Sequence, residues 1–382
     1  MWFHSFIPKL QVGEDALDTL DRLACPLGPV AALVVGRHAI ADGIADRVRK
    51  NLQEAGVASV IIQGPPGEPT LAECARGLVE ARAASCSSVI AIGGGSVLDM
   101  GKCIAGLYYH TGDPGSVVEE ALYQSPRDVQ ALPWIAVPTT AGTGSEATHV
   151  SVLSDPDRGL KQSMRCDRWY AQAVLIDPKL YVTAPPHVTA ASGMDALTQA
   201  IESHVSVGAT PVTQALSREA TRLLSESLIT AYHNGQDLTA RRDTAVGSFL
   251  AGLALTNARL GLVHGLAHPV GIRYGIPHGR ACAILLPHVM RFNLEVARQG
   301  YAELAAAIGL TDEGDPRAAE SLIDFIEQLN EKMGIPANLR DAGMIPEHIT
   351  ELAAAALPSG STRANPRSVS QSDAESVLAG LL

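Results

Sequence analysis

Three of the chain's twelve histidines fall within residues 261–279, Gly-Leu-Val-His-Gly-Leu-Ala-His-Pro-Val-Gly-Ile-Arg-Tyr-Gly-Ile-Pro-His-Gly. His264 and His268 are four residues apart, so on a helix both rings leave the same face. Pro269 disfavours the helical conformation for the residue before it, and the helix is expected to end there. Gly271 and Gly275 suit a turn, and Pro277 stiffens the approach to His278. A helix, a break and a returning third imidazole can close around one point, which is a metal site or a proton-transfer site. The alternative is three unrelated surface histidines, because His-x-x-x-His alone is a weak signal.

Upstream, residues 193–203 read Gly-Met-Asp-Ala-Leu-Thr-Gln-Ala-Ile-Glu-Ser. Asp195 and Gln199 share a helix face, and Ala196, Leu197, Ala200 and Ile201 make that helix largely buried. A buried Asp is costly unless paired or metal-bound. Asp195 facing His264 and His278 would resolve that cost.

Gly-Met-Asp-Ala-Leu-Thr-x-Ala-Ile-Glu, followed by His-x-x-x-His-Pro and Ile-Pro-His-Gly, resembles the iron-containing (group III) alcohol dehydrogenase family. Glycerol dehydrogenase and dehydroquinate synthase are more distant members of the same group. The resemblance implies one divalent metal, iron or zinc, held by Asp195, His264 and His278. The family's fourth ligand is a His four residues after the Asp; here that position is Gln199. An Asp195, Gln199, His264, His278 site would be weaker, since a neutral amide oxygen binds such metals less well than an imidazole. The other possibility is a metal-free reductase in which the histidines donate hydrogen bonds or protons. His204 is five residues past Gln199 and points elsewhere on a helix.

The 382 residues are 46% hydrophobic and 18% charged, a globular composition with room for two cores. A net charge of −11 argues against nucleic acid or an anionic membrane as partner. Six scattered cysteines without a Cys-x-x-Cys argue against a disulfide framework and for a reducing, cytoplasmic setting. The first residues lack the pattern of a secretory signal, and no apolar run reaches the length of a membrane span.

A continuous apolar run at 31–36 and strand-like segments at 57–63 and 88–92 alternate with helical patterns at about 14–25, up to 55 and at 71–85. Strand, helix, strand, helix, strand indicates a doubly wound α/β domain with a mostly parallel sheet. The third strand runs into Gly93-Gly94-Gly95-Ser96-Val97-Leu98-Asp99-Met100-Gly101-Lys102. Glycines there let backbone N–H groups approach a phosphate at a helix N-terminus. The spacing matches neither Gly-x-Gly-x-x-Gly nor the Walker pattern. The resemblance assigns this motif to the nicotinamide dinucleotide: Gly94, Gly95 and Ser96 to the phosphates and Asp99 near the nicotinamide half. A further strand at 134–138 leads into Thr139-Thr140-Ala141-Gly142-Thr143-Gly144-Ser145-Glu146. In the family this loop lies against the cofactor, through Thr139, Thr140 and Thr143, and Lys161 matches a lysine near the ribose. Relatives preferring NADH carry an Asp at the end of the first strand; this chain has Gly36-Arg37-His38, and Arg37 favours NADPH over NADH.

After Pro185-Pro186 the patterns are helical throughout. The expected division is a dinucleotide-binding α/β domain over 1–184 and an all-α metal and substrate domain over 185–382, with a cleft between them. The implied reaction is hydride transfer between NAD(P)H and a small aldehyde or alcohol. Its carbonyl would be polarised by the metal or the histidines, with His268 as proton relay. Arg273 raises the possibility of an anionic aldehyde. A dehydroquinate-synthase-like or glycerol-dehydrogenase-like enzyme and a non-catalytic nucleotide-binding descendant are the rival readings. Relatives are commonly dimers or larger, so a homo-oligomer is expected.

Overall fold

The computed structural model describes residues 8–124, 126, 129–312 and 314–382. The chain divides into two compact units: one runs up to Thr140 and includes Ser145–Tyr181, and the other joins Ala141–Gly144 to Val182–Leu382. The sequence reading divides the chain after residue 184, whereas the contacts divide it after Tyr181.

The first unit holds strands β1 (Lys9–Val12), β2 (Val30–Val35), β3 (Ala58–Gln63), β4 (Ser88–Gly93), β5 (Trp134–Pro138), β6 (Val150–Asp155), β7 (Leu160–Arg165) and β8 (Ala173–Ile176). Its helices are α1 (Leu20–Ala24), α2 (Arg37–Ala41), α3 (Ile44–Glu54), α4 (Leu71–Ala83), α5 (Gly95–Leu107) and α6 (Pro114–Gln124). Six strands form one sheet in the order β1-β8-β5-β4-β2-β3, and every neighbour pairs in parallel. The central strands β4 and β5 are buried at every position, as helices on both faces require, while edge strand β3 is not. Helix α5 follows β4 and lies close on the sheet. A Cβ on Gly101 would stand 2.6 Å from the Ala91 Cβ of β4, so only glycine permits that approach. Helix α4 begins with a reciprocal cap between Thr70 and Glu73. The single helix expected from 37 to 55 is instead split at Gly43, whose φ of 73° fits no continuing helix.

Strands β6 and β7 form an antiparallel hairpin outside the main sheet, an element absent from the sequence reading. Its turn contains Pro156 and Gly159, the latter at φ 62°.

The second unit is helical: α7 (Pro186–Val205), α8 (Pro211–His233), α9 (Leu238–Ala258), α10 (Leu262–Tyr274), α11 (His278–Ala307), α12 (Ala318–Lys332), α13 (Ile349–Ala356) and α14 (Gln371–Ala379). Pro185 and Pro186 are the N-cap and first residue of α7, where a missing N–H costs nothing. Leu197 and Ile201 of α7, Leu224 of α8, Leu266 of α10, Leu285 of α11 and Ile326 of α12 meet in one core. The expectation that α10 ends at Pro269 is corrected: the helix continues through it to Tyr274 and ends at Gly275, φ 64°. Leu262, Val263, Leu266, Ala267 and Val270 of α10 are all buried, and that packing offsets the one lost hydrogen bond. Among the described residues no single helix is long and apolar enough to cross a membrane.

Candidate functional site

In the α/β unit, the glycine motif occupies the turn from β4 into α5. Gly94 is the N-cap of α5 in an extended conformation, and no side chain caps this helix. Its carbonyl accepts from the Val97 and Leu98 N–H groups, which leaves the N–H groups of the first turn at Gly95 and Ser96 directed out of the helix. Gly94, Gly95 and Ser96 are only partly buried, as a phosphate-binding turn requires. The Thr139 N–H donates to Gly93 O at 3.0 Å, and a Cβ on Gly94 would stand 3.1 Å from Thr140 Oγ1. Thr139, Thr140 and the glycine turn therefore line one edge of the sheet, at the carboxyl ends of β4 and β5, where open α/β sheets take ligands.

Asp99 sits one turn into α5, but its carboxylate is turned inward. It accepts from the Val152 N–H at 3.0 Å and from Ser145 Oγ, and pairs with Lys102 at 3.6 Å. Burial raises the Asp99 pKa and lowers that of Lys102, while each opposes the shift of the other. Lys102, fully buried, donates to Ser145 O, Ser145 Oγ, Thr148 Oγ1 and Val150 O. The pair thus ties α5 to the 145–152 segment. Lys161, on β7, is paired with Glu68. Thr143 belongs with the helical unit, where its carbonyl accepts from Gln199 Nε2 at 3.4 Å. Arg37 opens α2 directly after β2; it is exposed and makes no ion pair among the described residues.

In the helical unit, donor atoms of Asp195 from α7, His264 from α10, and His278 and Cys282 from α11 all lie within 4.8 Å of one another. His264 Nε2 is 3.3 Å and His278 Nε2 is 3.8 Å from Asp195 Oδ1. Cys282 Sγ is 3.6 Å from His278 Nε2 and 4.0 Å from His264 Nε2. Gly279 allows α11 to start this close to α7: a Cβ there would stand 2.1 Å from Ala191 O. Behind the cluster, His264 Nδ1 donates to Glu202 Oε2 at 2.6 Å, and Glu202 Oε1 accepts from the Val263 N–H at 2.7 Å. In the neutral imidazole this fixes the tautomer with the proton on Nδ1 and the lone pair on Nε2, the form a metal ligand needs.

Neighbouring groups in the cluster favour the charged forms of its members despite their burial. Burial works against charge on His264, yet Cys282, Asp195 and Glu202 hold its pKa well above the usual imidazole value. Burial likewise opposes ionisation of Asp195, but His278, His264 and Gln199 bring its pKa below the usual carboxylate value. A shared divalent ion satisfies the same donors, and the donor set of one carboxylate, two imidazoles and a thiol suits zinc or iron. Gln199 lies on the same face of α7, and its buried Oε1 has no hydrogen-bond partner among the described residues.

His268 is exposed one turn beyond His264, its ring centroid 5.0 Å from that of His278. His204 is outside the cluster, held between Ser217 and Glu303. Arg273 is partly exposed and pairs with Glu351 at 3.5 Å, so its charge already has a partner. Sequence reasoning missed Cys282 and Glu202. Both had a signal: Cys282 is four residues after His278, and Glu202 seven after Asp195, each on the face of its own helix that carries the ligand.

The iron-containing alcohol dehydrogenase family model matches residues 8–178, and the C-terminal model of the Fe-containing alcohol dehydrogenase family matches residues 189–382. The 1,3-propanediol dehydrogenase of Klebsiella pneumoniae is 37% identical over 96% of this chain and 95% of its own length. The NAD-dependent methanol dehydrogenase of Bacillus methanolicus is 34% identical over 99% of both chains. Among solved structures, a 1,3-propanediol oxidoreductase superposes with a TM-score of 0.93 at 35% identity, covering 100% of each chain. With sequence matches along almost its entire length, the chain belongs to the iron-containing alcohol dehydrogenase family of oxidoreductases.

Proposed function

We propose that this protein reduces a small aldehyde to the alcohol, and catalyses the reverse, with NADPH preferred over NADH and with a divalent metal held by Asp195, His264 and His278. The observation that carries the reading is the buried convergence of those three donors with Glu202 behind His264. When bound, the nicotinamide supplies or accepts hydride and the metal polarises the substrate carbonyl as a Lewis acid.

The chain's own residues do the rest. Gly95 and Ser96 offer first-turn N–H groups to the pyrophosphate, and the α5 N-terminus favours its charge. Thr139 and Thr140, beside that turn, offer hydroxyls to the dinucleotide. The Asp99 and Lys161 side chains are already engaged by Lys102 and Glu68, so we assign Asp99 to holding the loop in place rather than to the cofactor. Asp195 brings negative charge to the buried cluster, and Glu202 keeps His264 in one tautomer. His268, exposed beside His278, holds a proton at its imidazole and exchanges it with solvent.

The NADPH preference rests on the end of β2. An acid there would accept from the ribose 2′-hydroxyl; Gly36 and the exposed Arg37 instead leave room and positive charge for a 2′-phosphate. The test is the initial rate of nicotinamide oxidation with a panel of short aldehydes and each cofactor in turn. NADPH should give the higher kcat/KM, and Arg37→Asp should lower kcat/KM for NADPH by about tenfold or more, the effect of about 1.4 kcal/mol at one ionic contact. No net oxidation of either cofactor with any aldehyde would favour a dehydroquinate-synthase-like lyase and end the reductase reading.

A further inference from the structure

We propose that Cys282 is the fourth protein ligand of the metal, taking the place that an imidazole at position 199 would fill, and that the site therefore selects zinc over iron. This inference rests on the metal reading above and concerns which residues complete it.

The geometry is that of a coordination shell. Zinc bonds of about 2.3 Å to sulfur and about 2.0–2.2 Å to nitrogen and oxygen, set tetrahedrally, place sulfur about 3.6 Å from nitrogen and nitrogen about 3.3 Å from oxygen. The observed separations are 3.6 and 4.0 Å from Cys282 Sγ to the two imidazole nitrogens, and 3.3 and 3.8 Å from those nitrogens to Asp195 Oδ1. Four of the separations among these atoms, from three helices, are thus within about 0.5 Å of those in a zinc shell, and all of them are within 4.8 Å. Cys282 is fully buried, with its sulfur beside both imidazoles, which does not suit a nucleophile that must meet substrate. It occurs one helical turn after His278, so both point from the same face of α11.

Gln199 occupies the other side of the argument. Its Nε2 donates to Thr143 O, which ties the amide to the backbone of the 141–144 segment. A carboxamide oxygen is a poor substitute for an imidazole on a borderline metal, whereas a thiolate is a stronger one. Charge points the same way. A Cys282 thiolate beside Asp195 brings the charge on the coordinating atoms to match that of a dication, which lowers the cost of burying it. Thiolate donors are soft and shift preference from iron towards zinc.

The test is to strip the full-length protein with chelator, add one equivalent of Co²⁺ and record the absorption spectrum. Cobalt in this site should show visible d–d bands together with a near-ultraviolet sulfur-to-cobalt charge-transfer band. That band should vanish in Cys282→Ser and Cys282→Ala and persist in Gln199→Ala. Zinc affinity, read by competition with a chromophoric chelator, should fall in Cys282→Ser by at least the roughly 10–100-fold that loss of a ligand's supporting partner costs. Cobalt bound with d–d bands but without the charge-transfer band in the wild-type protein would overturn the Cys282 assignment and leave the metal reading intact. So would a band that survives in both Cys282 variants. Failure of the wild-type protein to bind cobalt or zinc at all would overturn both.

Discussion

Gly279→Ala probes the arrangement at its tightest point. A methyl group there would stand 2.1 Å from Ala191 O, 2.8 Å from Ala191 C and 3.1 Å from Asp195 Cβ. Ordinary contact between such atoms is about 3.5 Å, so the new carbon intrudes by roughly 1 Å. The nearest two atoms are backbone of α7, and no rotamer change relieves them. The first turn of α11 must retreat by a comparable distance, and His278, the residue immediately before, retreats with it. Ligand atoms of a metal site tolerate about 0.2 Å of error, so His278, and Cys282 one turn later on the same helix, move out of reach of Asp195 and His264 on α7 and α10. Overpacking of this kind costs about 1–3 kcal/mol of stability, within what a domain of this size survives. The assay is thermal unfolding of chelator-treated protein with and without added zinc. The wild-type protein should gain stability by mass action, about 2.7 kcal/mol at a zinc concentration of a hundred times Kd. Gly279→Ala should remain folded, melt somewhat lower and gain little at the same zinc concentration. A variant that melts lower but keeps the full zinc-dependent gain would refute the reasoning, since the methyl would then have been absorbed without moving His278.

Two further outcomes follow from buried carboxylates. Glu202→Gln places an amide against His264 Nδ1 and disturbs the tautomer that Glu202 enforces; metal affinity should drop about 10–100-fold with little change in melting of the chelated protein. An unchanged affinity by chelator competition would show that Glu202 does not orient the ligand. Glu146, buried in the α/β unit, has its pKa pushed up from 4.5 to about 7, chiefly by burial. The folded chain therefore holds more protons than the unfolded one between pH 4.5 and about 7, and stability falls as pH rises through that window. Glu146→Gln should remove this slope and stabilise the protein above the window by an amount on the order of 3 kcal/mol, with no gain below it. Urea titrations across the range that show the same difference at both ends would contradict the assignment.

Much of this was legible before the structure. The continuous apolar runs around Leu33 and Ile90 announced buried parallel strands, because a strand covered on both faces has no polar side to display. Asp195, His264 and His278 could be grouped because Asp195 is on a buried helix and must meet something. What escaped had physical causes. Pro269 looked like a stop, yet the apolar face of α10 was sufficient to carry the helix past it to Tyr274. The β6–β7 hairpin was overlooked although Val150–Asp155 alternates in burial and Pro156 to Gly159 form its turn; short polar strands carry a weak signal. Asp99 matched a cofactor motif by type and spacing, but spacing does not reveal which way a carboxylate turns. Its partners, Lys102, Ser145 and the Val152 N–H, come partly from a segment more than forty residues away. Cys282 is hard to single out because a solitary cysteine in an apolar stretch carries no ligand signal until the helix bearing it is placed beginning at His278.

On this mechanism a metal held by the α7, α10 and α11 side chains is needed for hydride transfer. The most direct measurement is the rate of NADPH oxidation with a short aldehyde, taken on one preparation as purified, after exhaustive chelation, and after return of one equivalent of zinc. The account requires activity to disappear with the metal and to come back with it. Chelated protein that is verified metal-free by elemental mass spectrometry and still oxidises NADPH at the original rate would contradict it, and would transfer the chemistry to His264, His268 and His278 alone.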